Sequence, residues 1–140
     1  MSYTNQSAEI VAASVSSGTK LKAKDTEGRM LTHDFVYTSA SNVATNTVQI
    51  TEAMPTGAEV RGYFVQTSGT AAGAGVTLDI GLSGGTATSI AADLDIAANG
   101  IDEAPIAPVD ASGQVAYLTY NDANPADGNV ITGYIIYTVS

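Results

Sequence analysis

A chain of 140 residues is the size of one domain and long enough to bury a core. Its net charge of −9 repels phosphate backbones, so nucleic acid is not an expected partner. With no Cys and a single His it has no disulfides or thiolate metal sites, and little material for nucleophilic or zinc chemistry.

The charge is unevenly placed. Residues 1–30 sum to +1, four Lys and Arg against three acids, whereas residues 31–140 sum to −10, one Arg against eleven acids. The chain therefore divides into an N-terminal arm, 1–30, and an acidic domain, 31–140. The longest apolar run of the arm, Ile10 to Ala13, is too short to cross a bilayer and follows no basic stretch, so neither a membrane span nor a secretory signal is expected. Ile10–Val15 is patterned for a short strand. Further on, Lys20, Lys22 and Lys24 alternate, so an extended backbone would carry three ammonium groups on one face. A solvated tail and a segment ordered by a partner fit this composition equally well.

Period-two patterning begins at Leu31. His33, Phe35 and Tyr37 share one side of a strand, and Val48 and Ile50 face inward from a shorter one. Pro55-Thr56-Gly57 is turn chemistry. Ala58–Thr67 and Val76–Leu82 read as a hairpin around the Gly-rich loop 68–75. The first strand puts Val60 and Phe64 on its apolar face, and the second Val76, Leu78, Ile80 and Leu82. Ile90, Leu94 and Ala97 fall at helical spacing behind a Thr88 cap, which predicts one short helix over 88–97. Pro105 and Pro108 predict no long regular element after it. Gln114–Tyr120 reads as a strand, and residues 121–128 are dense in turn residues. The last strand, Asn129–Val139, is apolar on both faces, with Val130, Tyr134 and Ile136 opposite Ile131, Ile135, Tyr137 and Val139. Such a strand is covered on both sides, by core on one and by another element or a subunit on the other, and a subunit contact would use Tyr134, Ile135, Tyr137 and Val139. The fold expected is all-β: a single-domain, jelly-roll-like β-sandwich with an extended N-terminal arm and at most one short helix.

Catalytic constellations are sparse. His33 and Asp34 are adjacent on a strand and point to opposite faces, so they do not form the pair a triad needs. Asp93, Asp95, Asp102 and Glu103 make the densest acidic group, but without the EF-hand pattern they read as solvated acids. The glycines from Gly69 to Gly85 join strands and lack phosphate-loop spacing.

Four motifs carry a resemblance. They are the basic stretch Lys20-Leu21-Lys22-Ala23-Lys24-Asp25-Thr26-Glu27-Gly28-Arg29, the turn Met54-Pro55-Thr56-Gly57-Ala58-Glu59-Val60, the strand Val76-Thr77-Leu78-Asp79-Ile80-Gly81, and the closing Ile135-Ile136-Tyr137-Thr138-Val139. In this order the chain resembles the small capsid decoration, or cement, proteins of tailed bacteriophages. The resemblance implies a structural virion protein on the outer surface of the head, made in the host cytoplasm. It also implies no catalysis and no cofactor, a homotrimer, and the major capsid protein as partner. On that reading Lys20, Lys22, Lys24 and Arg29 suit contact with the shell. A receptor- or carbohydrate-binding sandwich is the alternative, against which the absence of Trp counts.

Overall fold

A computed structural model describes residues 30–140. The arm assigned above, with Lys20, Lys22, Lys24 and Arg29, lies outside the described residues apart from Met30. The described chain forms β1 (Leu31–Thr38), β2 (Thr47–Gln49), β3 (Ala58–Gly69), β4 (Thr77–Leu82), β5 (Ala91–Asp95), β6 (Ile101–Asp110), β7 (Ala116–Asn121) and β8 (Asn129–Val139). These make two antiparallel four-stranded sheets, ordered β1-β8-β3-β6 and β2-β7-β4-β5. The chain changes sheet at every connection except the one from β4 to β5. That wrapping is the double Greek key of a jelly roll, so the expected all-β sandwich is the fold found.

The core lies between the sheets and is built by the period-two faces. Phe35 from β1, Leu78, Ile80 and Leu82 from β4, Leu118 and Tyr120 from β7, and Ile131, Ile135 and Tyr137 from β8 are all buried. Gly81 faces the other way, and a Cβ there would stand 2.3 Å from the Thr86 carbonyl oxygen. Only glycine lets the loop 83–90 lie that close to β4.

Four expectations are corrected by the pairing. First, β3 and β4 are not a hairpin. β3 pairs with β6 and β8, whereas β4 pairs with β5 and β7. Their apolar faces are satisfied by facing each other across the core, and the Gly-rich loop carries the chain from one sheet to the other. Second, β3 contains a bulge between Val60 and Gly62. Arg61 is the extra residue, and the alternation changes phase behind it. Val60 points inward before the bulge, Tyr63 and Val65 point inward after it, and Phe64 is turned to the outer face.

Third, no helix forms over 88–97; the segment becomes β5, and no described residue is helical. Asp93 adopts a φ of 54°, and its N–H donates to the Asp79 carboxylate at 2.8 Å. A helix would spend that N–H internally, so the tertiary partner outweighs the helical spacing. Fourth, Pro105 and Pro108 lie within the ten-residue β6. Their missing N–H groups are tolerated because, among the described strands, β6 is the outermost of its sheet and pairs with β3 alone.

His33 is buried, only 4% exposed, beside the Ile135 position of β8. Burial holds its pKa below the ordinary value, with the Asp34 carbonyl and the charges of Glu52 and Asp34 acting the other way. The unfolded chain takes up a proton near pH 6.5, whereas the folded chain resists until a lower pH. Stability is therefore complete above that value and falls as the pH drops through the window between the two. One proton accounts for at most about 1.4 kcal/mol per pH unit. Urea unfolding of the protein should show its midpoint falling between pH 7 and 5, with a shallower slope in His33→Gln. Equal slopes in the two proteins would exclude His33 as the source.

Candidate interaction face

The outer face of the β1-β8-β3-β6 sheet holds the one aromatic stack found among the described residues. The register aligns Asp34 of β1 with Tyr134 of β8, Tyr134 with Phe64 of β3, and Phe64 with Glu103 of β6. The Phe64 and Tyr134 rings are stacked, with centroids 5.1 Å apart and planes 9° from parallel. A row of four cross-strand neighbours thus reads acid, aromatic, aromatic, acid. Such a stack is worth about 0.5–1.5 kcal/mol beyond its buried area, and its π faces attract cations.

Two open hollows flank this row. One, of about 520 Å³, is lined by Thr32, Asp34, Phe64, Thr132 and Tyr134. The other, of about 400 Å³, is lined by Met30, Arg61, Glu103, Pro105, Tyr134 and Ile136. Gly62 stands opposite both Ile136 and Pro105 in the register, so the row beside the stack has no side chain at its centre. The bulge that turned Phe64 outward and the glycine beside it together make this hollow. Arg61 lies on its rim, with Nη2 3.4 Å from Glu59 Oε1 and Nε donating to Thr138 Oγ1 at 3.2 Å. Beneath the face, burial raises the pKa of the Tyr63 phenol, and the charge of Asp102 adds to the effect.

The four residues assigned to a subunit contact separate on the two sides of β8. Tyr134 is on the outer face. Ile135 and Tyr137, 0% and 2% exposed, belong to the protomer's own core, and Val139 packs half-buried against it. The strand is apolar on both faces because one face fills the sandwich and the other carries Tyr134 and Ile136. Phe64 was missed as a surface residue, since the alternation of β3 assigns it to the core unless the bulge is known.

The acidic group expected to lie together is split between the sheets. Asp93 and Asp95 are on β5, while Asp102 and Glu103 are on β6. Among the described residues no three His, Cys, Asp or Glu side chains come close enough to hold a metal ion. Asp79 is buried under β5, where it accepts from the Asp93 N–H and from Asn121 Nδ2. Its work is structural. Tyr120 is likewise enclosed, and burial raises its pKa, with Tyr37 adding to the effect and the Ser39 hydroxyl opposing it.

No protein-family model matches the chain, and no curated protein matches it in sequence. A chain of the cyanophage Pam1 capsid asymmetric unit is similar in structure, with a TM-score of 0.58, at 17% sequence identity. The match covers 80% of this chain and 86% of that one. At that identity the likeness is one of fold.

Proposed function

We propose that this protein is a structural component of a phage virion that binds the outside of the head as a decoration or cement protein, with the major capsid protein as its partner. The observation that carries the reading is the similarity over most of both chains to a component of a cyanophage capsid unit. The order of sequence motifs, from Lys20–Arg29 to Ile135–Val139, supports the same conclusion independently. A cement protein needs a rigid body and contact surfaces, and here the long strands of a sandwich supply the body while an aromatic face supplies a surface. Repetition at symmetric positions then multiplies modest contacts into avidity. The protein performs no catalysis on this reading, and Lys20, Lys22, Lys24 and Arg29 make its contact with the shell. A homotrimer belongs to the same proposal, and of the four residues first assigned to its contact only Tyr134 lies on an outer face. Co-sedimentation with purified heads tests the proposal: the full chain should bind to saturation, and a chain lacking residues 1–29 should stay in the supernatant. Failure of the full chain to bind any head preparation from its own phage would overturn it.

A further inference from the structure

We propose that Asn99 is a latent modification site: its side-chain amide is lost to attack by the backbone nitrogen of Gly100, and the fold restrains that reaction until the end of the sandwich carrying it opens. Asn99-Gly100 is the one Asn-Gly pair in the sequence. Glycine leaves the attacking nitrogen unshielded, and a Cβ on Gly100 would meet nothing within 4 Å. Both residues are exposed between β5 and β6, so water reaches them.

The chemistry needs only this chain and water. The Gly100 nitrogen gives up its proton and attacks Asn99 Cγ. A C–N bond closes a succinimide ring, the Cγ–Nδ2 bond breaks, and the amide leaves as ammonia with the proton that Gly100 released. Water then opens either carbonyl of the ring. The product at position 99 is aspartate or isoaspartate, whose main chain runs through the former side chain.

Hydrogen bonds from other strands hold both reacting groups apart. The Gly100 N–H donates to Thr67 Oγ1 at 3.0 Å, and the Thr67 N–H donates back to the Gly100 carbonyl at 2.9 Å. Thr67 is buried near the end of β3. The Asn99 amide is held separately. Its Nδ2 donates to the Gly69 carbonyl at 2.8 Å, and its Oδ1 accepts from Asn129 Nδ2 at 3.4 Å. Asn129 is itself fully buried and also donates to the Thr70 carbonyl at 2.8 Å. Attack therefore waits for the loop before β6 to separate from the end of β3.

The product does not restore what it breaks. In aspartate, the atom that donated to Gly69 becomes an acceptor facing an acceptor. Isoaspartate adds a carbon to the main chain ahead of Gly100 and moves it out of register with Thr67. Conversion is thus a one-way record of opening, and it stands apart from the virion reading.

Peptide mapping of the full chain held at mildly alkaline pH tests the proposal, reading the mass gain at Asn99 and its two product peptides. Conversion should be about tenfold or more slower in the folded protein than in guanidinium, since only a minority of molecules are open at that end. Thr67→Val keeps the side-chain shape without the hydroxyl and should speed conversion about fivefold, the factor one hydrogen bond is worth. Thr67→Ser should match the parent. Unfolding transitions check that each variant folds, and the folded and unfolded parent carry the test if Thr67→Val does not. Converted protein, separated by its added negative charge, should exchange the Thr67 amide hydrogen faster while the β4 amides keep their protection. Equal rates in folded and unfolded chains, no conversion in either, or a folded Thr67→Val with the parent's rate would each overturn the proposal. So would unchanged exchange at Thr67 after conversion.

Discussion

Tyr137→Asp should abolish cooperative folding, while Tyr134→Asp, three residues away on the same strand, should leave a folded protein. Tyr137 is 2% exposed and stands opposite Val60 and Leu31 in the β1-β8-β3-β6 sheet. Losing a core ring costs about 3–5 kcal/mol. The carboxylate then has no solvent, and burying it adds several kcal/mol more or forces it to take up a proton. A domain with about 5–15 kcal/mol of total stability does not absorb that sum. Tyr134 is half-buried on the outer face, and its replacement removes the stack with Phe64, about 1 kcal/mol, together with modest burial. Circular dichroism and urea titration separate the two. A Tyr137→Asp protein that unfolds cooperatively with near-native stability would show that β8 is not in the core as described.

Gly133→Ala should lower stability by about 2–3 kcal/mol, equivalent to roughly 10 °C in Tm for a domain of this size. Gly133 lies between Phe35 of β1 and Val65 of β3 in the register of the central strand. A Cβ there would stand 2.0 Å from the Phe64 carbonyl oxygen and 3.0 Å from the Phe35 ring. The ring can rotate away, but the carbonyl belongs to the β3 backbone, and shifting it disturbs the strand that carries the stack. Adding Gly133→Ala to Phe35→Ala should therefore cost about the same as adding it to the natural protein. Calorimetry of the two single variants and the double variant checks this, and a much smaller cost in the Phe35→Ala background would mean that the ring contact is the one that matters.

Where alternation ran unbroken, the inward faces were legible from the sequence. His33 and Phe35 in β1, and Leu78, Ile80 and Leu82 in β4, lie inside as their period requires. The misreadings have separate physical causes. A single extra residue at Arg61 reversed the second half of β3; Gly62 inside the strand pattern is the one local sign of a bulge, and the alternation was read straight through it. The spacing of Ile90, Leu94 and Ala97 was helical, yet Asp79 holds the Asp93 N–H, a contact across 14 residues that no window around Asp93 contains. Proline excluded a strand only on the assumption that both edges of β6 are used, and among the described residues it pairs along one of them.

The outer aromatic face was less legible than the core. It depends on the pairing of four strands from all parts of the chain, and the row formed by Asp34, Tyr134, Phe64 and Glu103 exists only once their registers are known. The double apolarity of β8 was visible, but which side belongs to the core is set by Phe35, Val60 and Val65 on the neighbouring strands. Ile135 and Tyr137 were thereby moved from a surface to the interior.

Quantitative mass spectrometry of purified phage particles tests the virion assignment most directly. The account predicts this chain in every intact particle, at a ratio to the major capsid protein that stays fixed from one preparation to the next and survives washing. Its absence from particles, or a trace amount that varies between preparations, would contradict that assignment.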